Sequence, residues 1–437
     1  MCTKNVVSIL QRFILLHPQL IDLSLDRINK LAEKLGNPEK NIKNIIHVAG
    51  TNGKGSTIAY LAASLIASGK KVDSYTSPHL VEFNERIKIG INGKQVLISN
   101  VDLENILLEC EIINNKSPIT IFEITTAAAF LQFSRTGSDY LLLETGLGGR
   151  LDATNIIEKP LITIITPISI DHQDFLGKTI KEIASEKAGI LKKHVPAIIG
   201  PQEKEALLVI EDRARKLESP LIKWGTDFIA YEQNGNLVYE DGHGLLDLPM
   251  PFLEGDHQII NAGVAIAALR HVPENTVSQK YIAEGLLNVK WPARLERLEK
   301  GTLNNLMLDG SELWLDGGHN ISAANVISKA MKNINDRNPL PLTLIVGMMQ
   351  SKDSKAFLSY FSSICDKVIA VDIPGQSNAQ DAKLIKRNAR DLGIKTFIAK
   401  DISQAIKIDN KNKVRISIVG SLYLAGHILK IQKESGH

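Results

Sequence analysis

The sequence predicts an α/β protein with a P-loop NTPase-like, doubly wound sheet and a second, smaller Rossmann-like α/β domain. Short apolar segments alternate with helical patterns through most of the chain. A glycine-rich turn, Gly50 to Thr57, joins an apolar run to an alanine-rich helical segment. The alternation restarts after Trp291-Pro292-Ala293-Arg294, which predicts domains of residues 1–296 and 297–437.

In the first domain, residues 3–36 predict one or two helices that end at Gly36-Asn37-Pro38. Asn92-Gly93 lies between two apolar runs and predicts a hairpin. The other elements are strands at 44–49, 72–75, 140–143 and 161–165, helices near 101–115, 123–134, 180–191 and 256–271, and short strands in 226–250.

The second domain repeats the alternation on a smaller scale. A last strand is followed by Gly420-Ser421 and a final helix. The predicted strands are 314–316, 342–346, 367–371 and 416–419, and a helix is predicted at 322–334.

Composition excludes several classes of protein. With 437 residues, 44% hydrophobic and 23% charged, the chain is long enough for two or three domains. A formal charge of +3, without clustered basic runs, argues against a nucleic-acid partner. The chain has no apolar run long enough for a membrane span, and Cys2, Cys110 and Cys365 are scattered. We therefore expect a cytoplasmic protein without membrane partners.

The turn from Gly50 to Thr57 predicts a phosphate site. Glycines let successive backbone N–H groups point at one anion, and the following helix N-terminus adds positive charge. Lys54 would reach the outer phosphates, and a hydroxyl of Ser56 or Thr57 would face a metal. Gly55 follows Lys54 where the strict pattern has Ser or Thr, so a plain glycine-rich turn is the alternative.

Polar residues follow several predicted strands. Glu144 ends an apolar strand and would hold Mg²⁺ opposite the phosphate turn, although a capping role is the alternative. His172 follows the next strand, but Mg²⁺ prefers oxygen, so a structural histidine is at least as expected. From the residues alone, Ser77 is a turn residue and Lys187 a solvated helix lysine.

Further candidates lie toward the end of the first domain and in the second. Asp316 and His319 occupy a strand-to-helix turn, where helix capping explains them nearly as well as a site does. His257, Gln258 and Asn261 would line a nucleotide or cap a helix. The residues alone support an enzyme that uses a nucleoside triphosphate and go no further.

Taken together, the segments closely resemble the folylpolyglutamate synthase/dihydrofolate synthase family of the Mur ligase superfamily. They occur in family order across nearly the whole chain, and the ordered set is specific although each segment is weak. The matching segments are Leu25 to Ile28, Leu35 to Pro38, His47 to Ser56, Thr76 to Leu80, Glu85 to Ile87, Phe122-Glu123, Glu144 to Asn155, Asp171-His172, Leu176-Gly177, Glu186 to Ile190, His257-Gln258, Asn261-Ala262, Trp291 to Leu295, Asp316 and His319-Asn320.

The resemblance implies ATP-driven amide formation between the domains. A substrate carboxylate attacks the γ-phosphate of ATP, and the amine of L-glutamate displaces phosphate from the resulting acyl phosphate. The implied partners are dihydropteroate, reduced folates and L-glutamate, with ATP and two Mg²⁺ ions, and we expect a monomer. The segment Gly148 to Asn155 resembles the bifunctional bacterial form, so both synthase activities are expected.

Site residues carry over by position. The resemblance implies phosphate contacts from Gly53, Lys54, Gly55 and Ser56, metal contacts from Ser77, Glu144, His172 and Lys187, ATP contacts from Asn261, Arg294 and Asp316, and a pterin pocket at Phe122, Glu123 and Leu151. It also implies catalytic roles for Lys54, His172, Lys187, Asp316 and His319. The extra residues from Lys300 to Glu312 are expected to form a hairpin.

The resemblance further implies that Lys187 carries a carbamate formed from CO₂. A bare ammonium beside Mg²⁺ would be repelled, whereas carbamate oxygens suit the ion. The alternative is an unmodified surface lysine paired with Glu182 or Glu186.

Two other functions compete. A Mur-type ligase acting on a UDP-linked precursor usually carries a further N-terminal domain, for which the 49 residues before Gly50 are too few. A nucleotide-dependent switch without ligase chemistry would need no second α/β domain with a site loop at Asp316.

Overall fold

An eight-stranded sheet forms the centre of the first of two units. The computed structural model describes residues 4–272, 277–408 and 412–433. The sheet order is β4-β3-β2-β5-β1-β6-β7-β8, parallel except for the hairpin strands β3 and β4 at one edge. The strands are β1 (Ile45–Ala49), β2 (Val72–Tyr75), β3 (Ile87–Ile91), β4 (Lys94–Leu97), β5 (Tyr140–Glu144), β6 (Ile162–Ile165), β7 (Ala197–Ile199) and β8 (Leu221–Lys223).

The strand order places β1 between β5 and β6, although β5 and β6 come much later in the chain. All five residues of β1 are buried, as expected for a central parallel strand with both faces covered. In open α/β sheets, ligands bind where the strand order reverses, outside the carboxyl ends of the strands. The loops after β1, β2, β5 and β6 meet at that edge.

Helices cover both faces of this sheet, which confirms the predicted doubly wound class. Capping boxes begin two of the helices, where Thr120 pairs with Glu123 and Thr179 with Glu182. The helices are α1 (Lys4–Ile14), α2 (Asp26–Lys34), α3 (Lys54–Ala67), α4 (Asn100–Asn114), α5 (Ile121–Thr136), α6 (Gln173–Leu176), α7 (Ile180–Ala188), α8 (Lys204–Leu217), α9 (His257–Arg270) and α10 (Gln279–Asn288).

A three-stranded antiparallel sheet lies between α8 and α9 in the chain. Its strands are β9 (Phe228–Gln233), β10 (Asn236–Asp241) and β11 (Gly244–Pro249), in the order β11-β10-β9. The short strands predicted in this segment are therefore confirmed.

The second unit is a six-stranded sheet in the order β12-β13-β17-β14-β15-β16, parallel except for β12. Its strands are β12 (Glu296–Arg297), β13 (Glu312–Leu315), β14 (Leu342–Val346), β15 (Lys367–Ala370), β16 (Lys395–Ile398) and β17 (Arg415–Val419). Its helices are α11 (Ile321–Arg337), α12 (Ser354–Ser359), α13 (Ala382–Asp391), α14 (Ile402–Ile408) and α15 (Leu422–Lys433). The predicted smaller α/β domain is present.

Neither unit is continuous in the chain, because a short segment, residues 253–258, belongs to the second unit. Residues 1–252 and 259–289 form the first unit, and residues 253–258 and 290–437 form the second. The functional domain boundary expected at 296/297 stays a prediction. Across the described ranges, no helix is long and apolar enough to cross a membrane.

The hairpin expected between Lys300 and Glu312 is wrong. Residues 300–311 contain a short 3₁₀ turn, Asn304–Leu306, and belong to the loop between the antiparallel strands β12 and β13 rather than forming two strands of their own. Gln432 on α15 accepts from Leu303 N at 2.9 Å and donates to Asn304 Oδ1 at 2.7 Å. The bond to Gln432 satisfies the backbone N–H of Leu303, which a hairpin would have paired across strands.

Candidate active site

The turn after β1 requires glycine at two positions. Gly50 has φ of 151°, and a Cβ there would lie 1.8 Å from Thr166 Oγ1. Gly53 has φ of 88°, and a Cβ there would lie 2.3 Å from the side-chain oxygen of Asn261. The same contact places Asn261, predicted to bind the nucleotide, against the phosphate turn.

Lys54, Gly55 and Ser56 form the first turn of α3, directly after Gly53. The free N–H groups and positive end of a helix favour a bound anion at this place. The predicted strand, turn and helix arrangement is therefore present, and its role in phosphate binding stays a prediction.

Two lysines converge on one backbone carbonyl of the turn. Lys54 Nζ donates to Gly50 O at 3.2 Å and Thr51 O at 3.3 Å, and lies 3.9 Å from Glu144 Oε1. Lys187 Nζ, from α7, donates to the same Gly50 O at 2.8 Å. The structure thus brings together the two lysines and the Glu144 carboxylate that the sequence singled out.

The Lys187 amine lies in the interior of the protein, and this burial changes the pKa of the side chain. Burial, followed by the positive charge of Lys54, lowers the pKa of Lys187 to about 7, against the opposing effect of Asp171 and Asp152. A large share of this amine is therefore uncharged at neutral pH.

The alternative of a surface lysine paired with Glu182 or Glu186 is wrong. Lys187 is only 5% exposed. Glu186 instead accepts from Arg150 at 2.8 Å, and Glu182 caps α7 by accepting from Thr179 N at 2.9 Å. Glu182 and Glu186, four residues apart, lie on one face of α7, and Lys187 lies on another, as the helix period dictates.

The residues that the sequence predicts as metal ligands lie in two groups. Ser77 N donates to Glu144 Oε2 at 3.1 Å, at the ends of the neighbouring strands β2 and β5. His172, after β6, lines a small cavity with Lys54 and Lys187. Within the described ranges, no three His, Cys, Asp or Glu side chains form a metal-binding group. A metal here would need the Ser77 hydroxyl or a modified Lys187 as a ligand.

A larger cavity of about 230 Å³ lies beside the small one. The predicted pterin residues Phe122, Glu123 and Leu151 all line it, together with Ser77 and His172. Its lining is largely apolar with a few polar groups, which is typical of a site for a flat organic ligand. The structure therefore brings the three residues together, and their contact with a pterin stays a prediction.

The Glu123 carboxylate itself is already engaged. It accepts from Thr120 N at 2.8 Å and Thr120 Oγ1 at 2.7 Å, and from Arg27 Nε at 3.0 Å. Arg27 also donates to Asp22 Oδ2 at 2.9 Å. Asp22 lines the cavity and was not singled out from the sequence, because a lone aspartate ahead of a helix belongs to no motif.

Residues 146–153, which we call the shared wall, separate the two cavities. Gly146 and Leu147 line both. Asp152 stabilises the wall by accepting from Leu147 N at 2.7 Å and from Thr154 N at 3.0 Å and Oγ1 at 2.6 Å. Thr154 Oγ1 is also 2.9 Å from His47 Nε2, so the imidazole donates there, since the hydroxyl proton goes to Asp152. Burial lowers the pKa of His47 to about 3, so the ring is neutral.

Among the described residues that line the larger cavity, Arg86 is the only lysine or arginine. Its Nε donates to His79 Nδ1 at 3.0 Å, and its guanidinium carbon lies 5.0 Å from the centroid of the Phe83 ring. The sequence assigns no role to Arg86, because Glu85-Arg86-Ile87 supports the family resemblance without indicating what the arginine does.

In the second unit, Arg294 and Asp316 lie at one turn. Asp316 accepts from Leu295 N at 2.7 Å and Gly318 N at 2.6 Å. Burial raises the pKa of Asp316, although the Arg294 charge and both hydrogen bonds oppose the rise. His319, after β13, bonds through Nδ1 to a backbone carbonyl two residues earlier at 2.9 Å. The predicted turn is present.

His257 and Gln258 also belong to the second unit. Gln258 Nε2 is 3.0 Å from His257 Nε2. Burial, with a smaller effect of the Arg294 charge, lowers the pKa of His257 to about 4. These contacts leave open whether the pair lines a nucleotide or only organises the start of α9.

Comparison with known proteins gives matches over nearly the whole chain. A family model for the Mur ligase middle domain matches residues 48–269, and one for a dihydrofolate synthetase C-terminal domain matches residues 300–431. Dihydrofolate synthetase of Saccharomyces cerevisiae is 32% identical over 94% of this chain and 98% of its own length. Dihydrofolate synthase/folylpolyglutamate synthase of Escherichia coli is 31% identical over 95% of this chain and 93% of its own.

Solved structures agree with these sequence matches. E. coli FolC in complex with DHPP and ADP superimposes with a TM-score of 0.87 at 29% identity, covering 99% of both chains. A bifunctional folylpolyglutamate synthase/dihydrofolate synthase with Mn, AMPPNP and L-glutamate bound gives a TM-score of 0.83 at 28% identity, covering 98% of both chains. The chain therefore belongs to the dihydrofolate synthase/folylpolyglutamate synthase family of Mur ligases.

Proposed function

We propose that this protein is an ATP-dependent ligase that joins L-glutamate to the carboxylate of a pteroate or folate through an acyl phosphate. The observation that carries the proposal is one shared wall between two cavities. Lys54 and Lys187 line the small cavity on one side of it, and Phe122 and Glu123 line the larger cavity on the other. The FolC complex with DHPP and ADP, and the relative with AMPPNP and L-glutamate, support this assignment.

The chemistry follows from the reactants. A carboxylate is a poor electrophile, and transfer of the γ-phosphoryl group gives its carbon a good leaving group. The amine of L-glutamate then attacks that carbon, and phosphate leaves with the bonding electrons. Lys54 would stabilise the negative charge on the transferred group, because its ammonium lies at the phosphate turn.

Nucleotide contacts are proposed in each unit separately. In the first unit, Gly53, Gly55 and Ser56 would donate backbone N–H groups to phosphate oxygens, and Asn261 lies against the same turn. In the second unit, Arg294 would offer a cation to ATP next to the Asp316 turn.

A divalent cation, as Mg²⁺, would neutralise phosphate charge and polarise the transferred phosphoryl group when bound. The donor set fits it in part. Glu144 supplies a carboxylate and Ser77 a hydroxyl, which are oxygen ligands that Mg²⁺ accepts. His172 is a less usual ligand, and a second ion would need further oxygens.

A carbamate on Lys187 would supply those oxygens. The uncharged amine adds to the carbon of CO₂ and loses one proton, which leaves a carbamate anion. The buried position and a pKa of about 7 make the free amine available near neutral pH. We expect ¹³C NMR of the protein in ¹³CO₂-containing buffer to show one carbamate signal that Lys187→Ala removes. Lys187→Ala should be nearly inactive and partly restored by acetate, and full activity without rescue would contradict the assignment.

The direct test of the function is incorporation of labelled glutamate, with dihydropteroate and with tetrahydrofolate side by side. Product from both acceptors is expected, since we propose both synthase activities. Product from one acceptor alone would reduce the proposal to that activity. A UDP-linked precursor serves as the control for the competing ligase function, which the comparisons do not favour.

Phosphate release distinguishes the ligase from a nucleotide switch. A ligase releases phosphate only when acceptor and glutamate are both present, whereas a switch hydrolyses the nucleotide without them. The expected monomer and the cytoplasmic location stay predictions.

A further inference from the structure

The larger cavity holds a cation whose outer nitrogens are unused by the protein. Within the described ranges, Arg86 makes no ion pair, and its Nη1 and Nη2 make no hydrogen bond. Arg27, in contrast, donates to both Asp22 and Glu123 and so has its charge compensated. A half-buried guanidinium without a carboxylate partner is suited to an anionic ligand.

Two neighbouring rings fix the position of this guanidinium. His79 accepts from its edge at Nε, and the Phe83 ring lies under its face. The two rings also pack on each other, with centroids 5.5 Å apart and planes at 56°. The hydrogen bond to His79 and the packing on Phe83 therefore fix the plane of the Arg86 guanidinium. Its two outer nitrogens, Nη1 and Nη2, form a fork in that plane.

The backbone of this segment is held as well. Glu85 Oε2 accepts from Leu80 N at 2.7 Å, and its Oε1 accepts from Val81 N and Glu82 N at 3.0 Å each. A 3₁₀ helix, Phe83–Arg86, then leads into β3. The residues between His79 and Arg86 thus form a closed local unit.

The chemical nature of the acceptor matters. A carboxylate in place of His79 would hold the arginine but would also compensate its charge. A neutral imidazole accepts the same hydrogen bond and leaves the positive charge available to a ligand. Because His79 Nδ1 accepts from Arg86 Nε–H at 3.0 Å, this nitrogen carries no proton, and the ring is neutral with its proton on Nε2.

We propose that His79 is a positioning residue, whose neutral ring orients the Arg86 fork to bind a substrate carboxylate. The inference rests on the proposed function, which supplies two carboxylate-bearing substrates, the pteroate-type acceptor and L-glutamate. Both present the same chemistry to a guanidinium, and the Michaelis constants distinguish them.

The first test is His79→Phe, which keeps a ring against Phe83 and removes the acceptor nitrogen. We expect the KM of one carboxylate substrate to rise about fivefold to tenfold, as expected for a weakened charged hydrogen bond. The KM of ATP and kcat should stay within about twofold of wild type on the same grounds. The substrate whose KM rises identifies the carboxylate that Arg86 binds.

Further variants separate positioning from packing. In an Arg86→Lys background, adding His79→Phe should leave both KM values unchanged, because the oriented fork is already absent. His79→Gln offers a neutral amide oxygen and should restore KM toward wild type. His79→Glu should raise KM at least as much as His79→Phe, because it compensates the charge. His194→Phe changes an exposed histidine of the same unit and serves as the matched control.

Specific outcomes overturn the inference. If wild type ligates glutamate and His79→Phe leaves both carboxylate KM values unchanged, the positioning role is wrong while the function stands. Equal effects in the wild-type and Arg86→Lys backgrounds would also contradict it. If wild type ligates nothing, the proposed function fails. The positioning role is then tested separately, by calorimetric titration of wild type and His79→Phe with pteroate. Equal affinity of wild type and His79→Phe would then overturn positioning.

Discussion

Replacing Lys187 with Met should stabilise the folded protein below neutral pH. The usual lysine pKa of 10.5 falls to about 7 in the fold, so the folded state disfavours the bound proton. That difference corresponds to about 5 kcal/mol when the amine is fully charged in both states. The cost is fully present below pH 7 and decreases as pH rises from 7 toward 10.5, because the folded amine is then uncharged and the proton that the unfolded amine releases on folding is lost more easily at higher pH.

The free-energy cost of burying the Lys187 amine changes with pH. Linkage gives a cost of about 5 kcal/mol at pH 6 and about 2 kcal/mol at pH 9. The hydrogen bond from Lys187 to Gly50 offsets about 1 kcal/mol at every pH. The stability gain of Lys187→Met should therefore shrink by about 3 kcal/mol between pH 6 and pH 9.

Urea unfolding in CO₂-free buffer at pH 6 and pH 9 measures this directly. Lys193→Met, at an exposed neighbouring lysine, is the control and should show no such pH dependence. A gain for Lys187→Met that is equal at both pH values would refute the reasoning. Adding CO₂ should stabilise wild type alone, since only the folded amine of Lys187 would bind it.

Three further predictions concern the site and the core. Lys54→Ala should abolish ligation without changing urea unfolding, and a folded variant with near-normal turnover would refute its role. Glu144→Gln should raise the Mg²⁺ concentration for half-maximal activity at least about tenfold, whereas activity in excess chelator would exclude the metal. Arg415→Met should lower the free energy of unfolding by about 3–5 kcal/mol, because it removes the buried cationic partner of Glu312 and leaves the longer, half-exposed contact with Arg297 at 3.7 Å. Adding Glu312→Met should recover much of that loss, and no recovery would contradict the pairing.

The parts of the fold with a local cause were predictable from the sequence. Glycine at positions 50 and 53, followed by Lys54, predicts a turn at this place, although Thr166 and Asn261, which crowd the two glycines, come from distant parts of the chain. Lys187 is different, because nothing in its own segment shows that α7 turns it inward. Its place at the site came from a resemblance, and its burial required the assembled sheet.

Contacts between distant residues account for what sequence reasoning missed. Arg27 and Glu123 are 96 positions apart, and Arg415 and Glu312 are 103 apart, so no local spacing points to either pair. The hairpin prediction failed for the same reason, since Gln432 supplies bonds from α15. Even the local pair of His79 and Arg86 gave no signal, because a histidine near an arginine is common in loops.

The shared wall bears on how this protein could evolve under a competitive inhibitor. Gly146 and Leu147 contribute to both cavities, and Asp152 ties their backbone to the rest of the wall. A mutation there that repels a drug from the larger cavity also displaces backbone beside the phosphate turn. Resistance through the wall would therefore reduce turnover. Compounds that bind mainly through contacts with the wall should therefore select fewer active resistant mutants than compounds that bind mainly through contacts with residues 20–24.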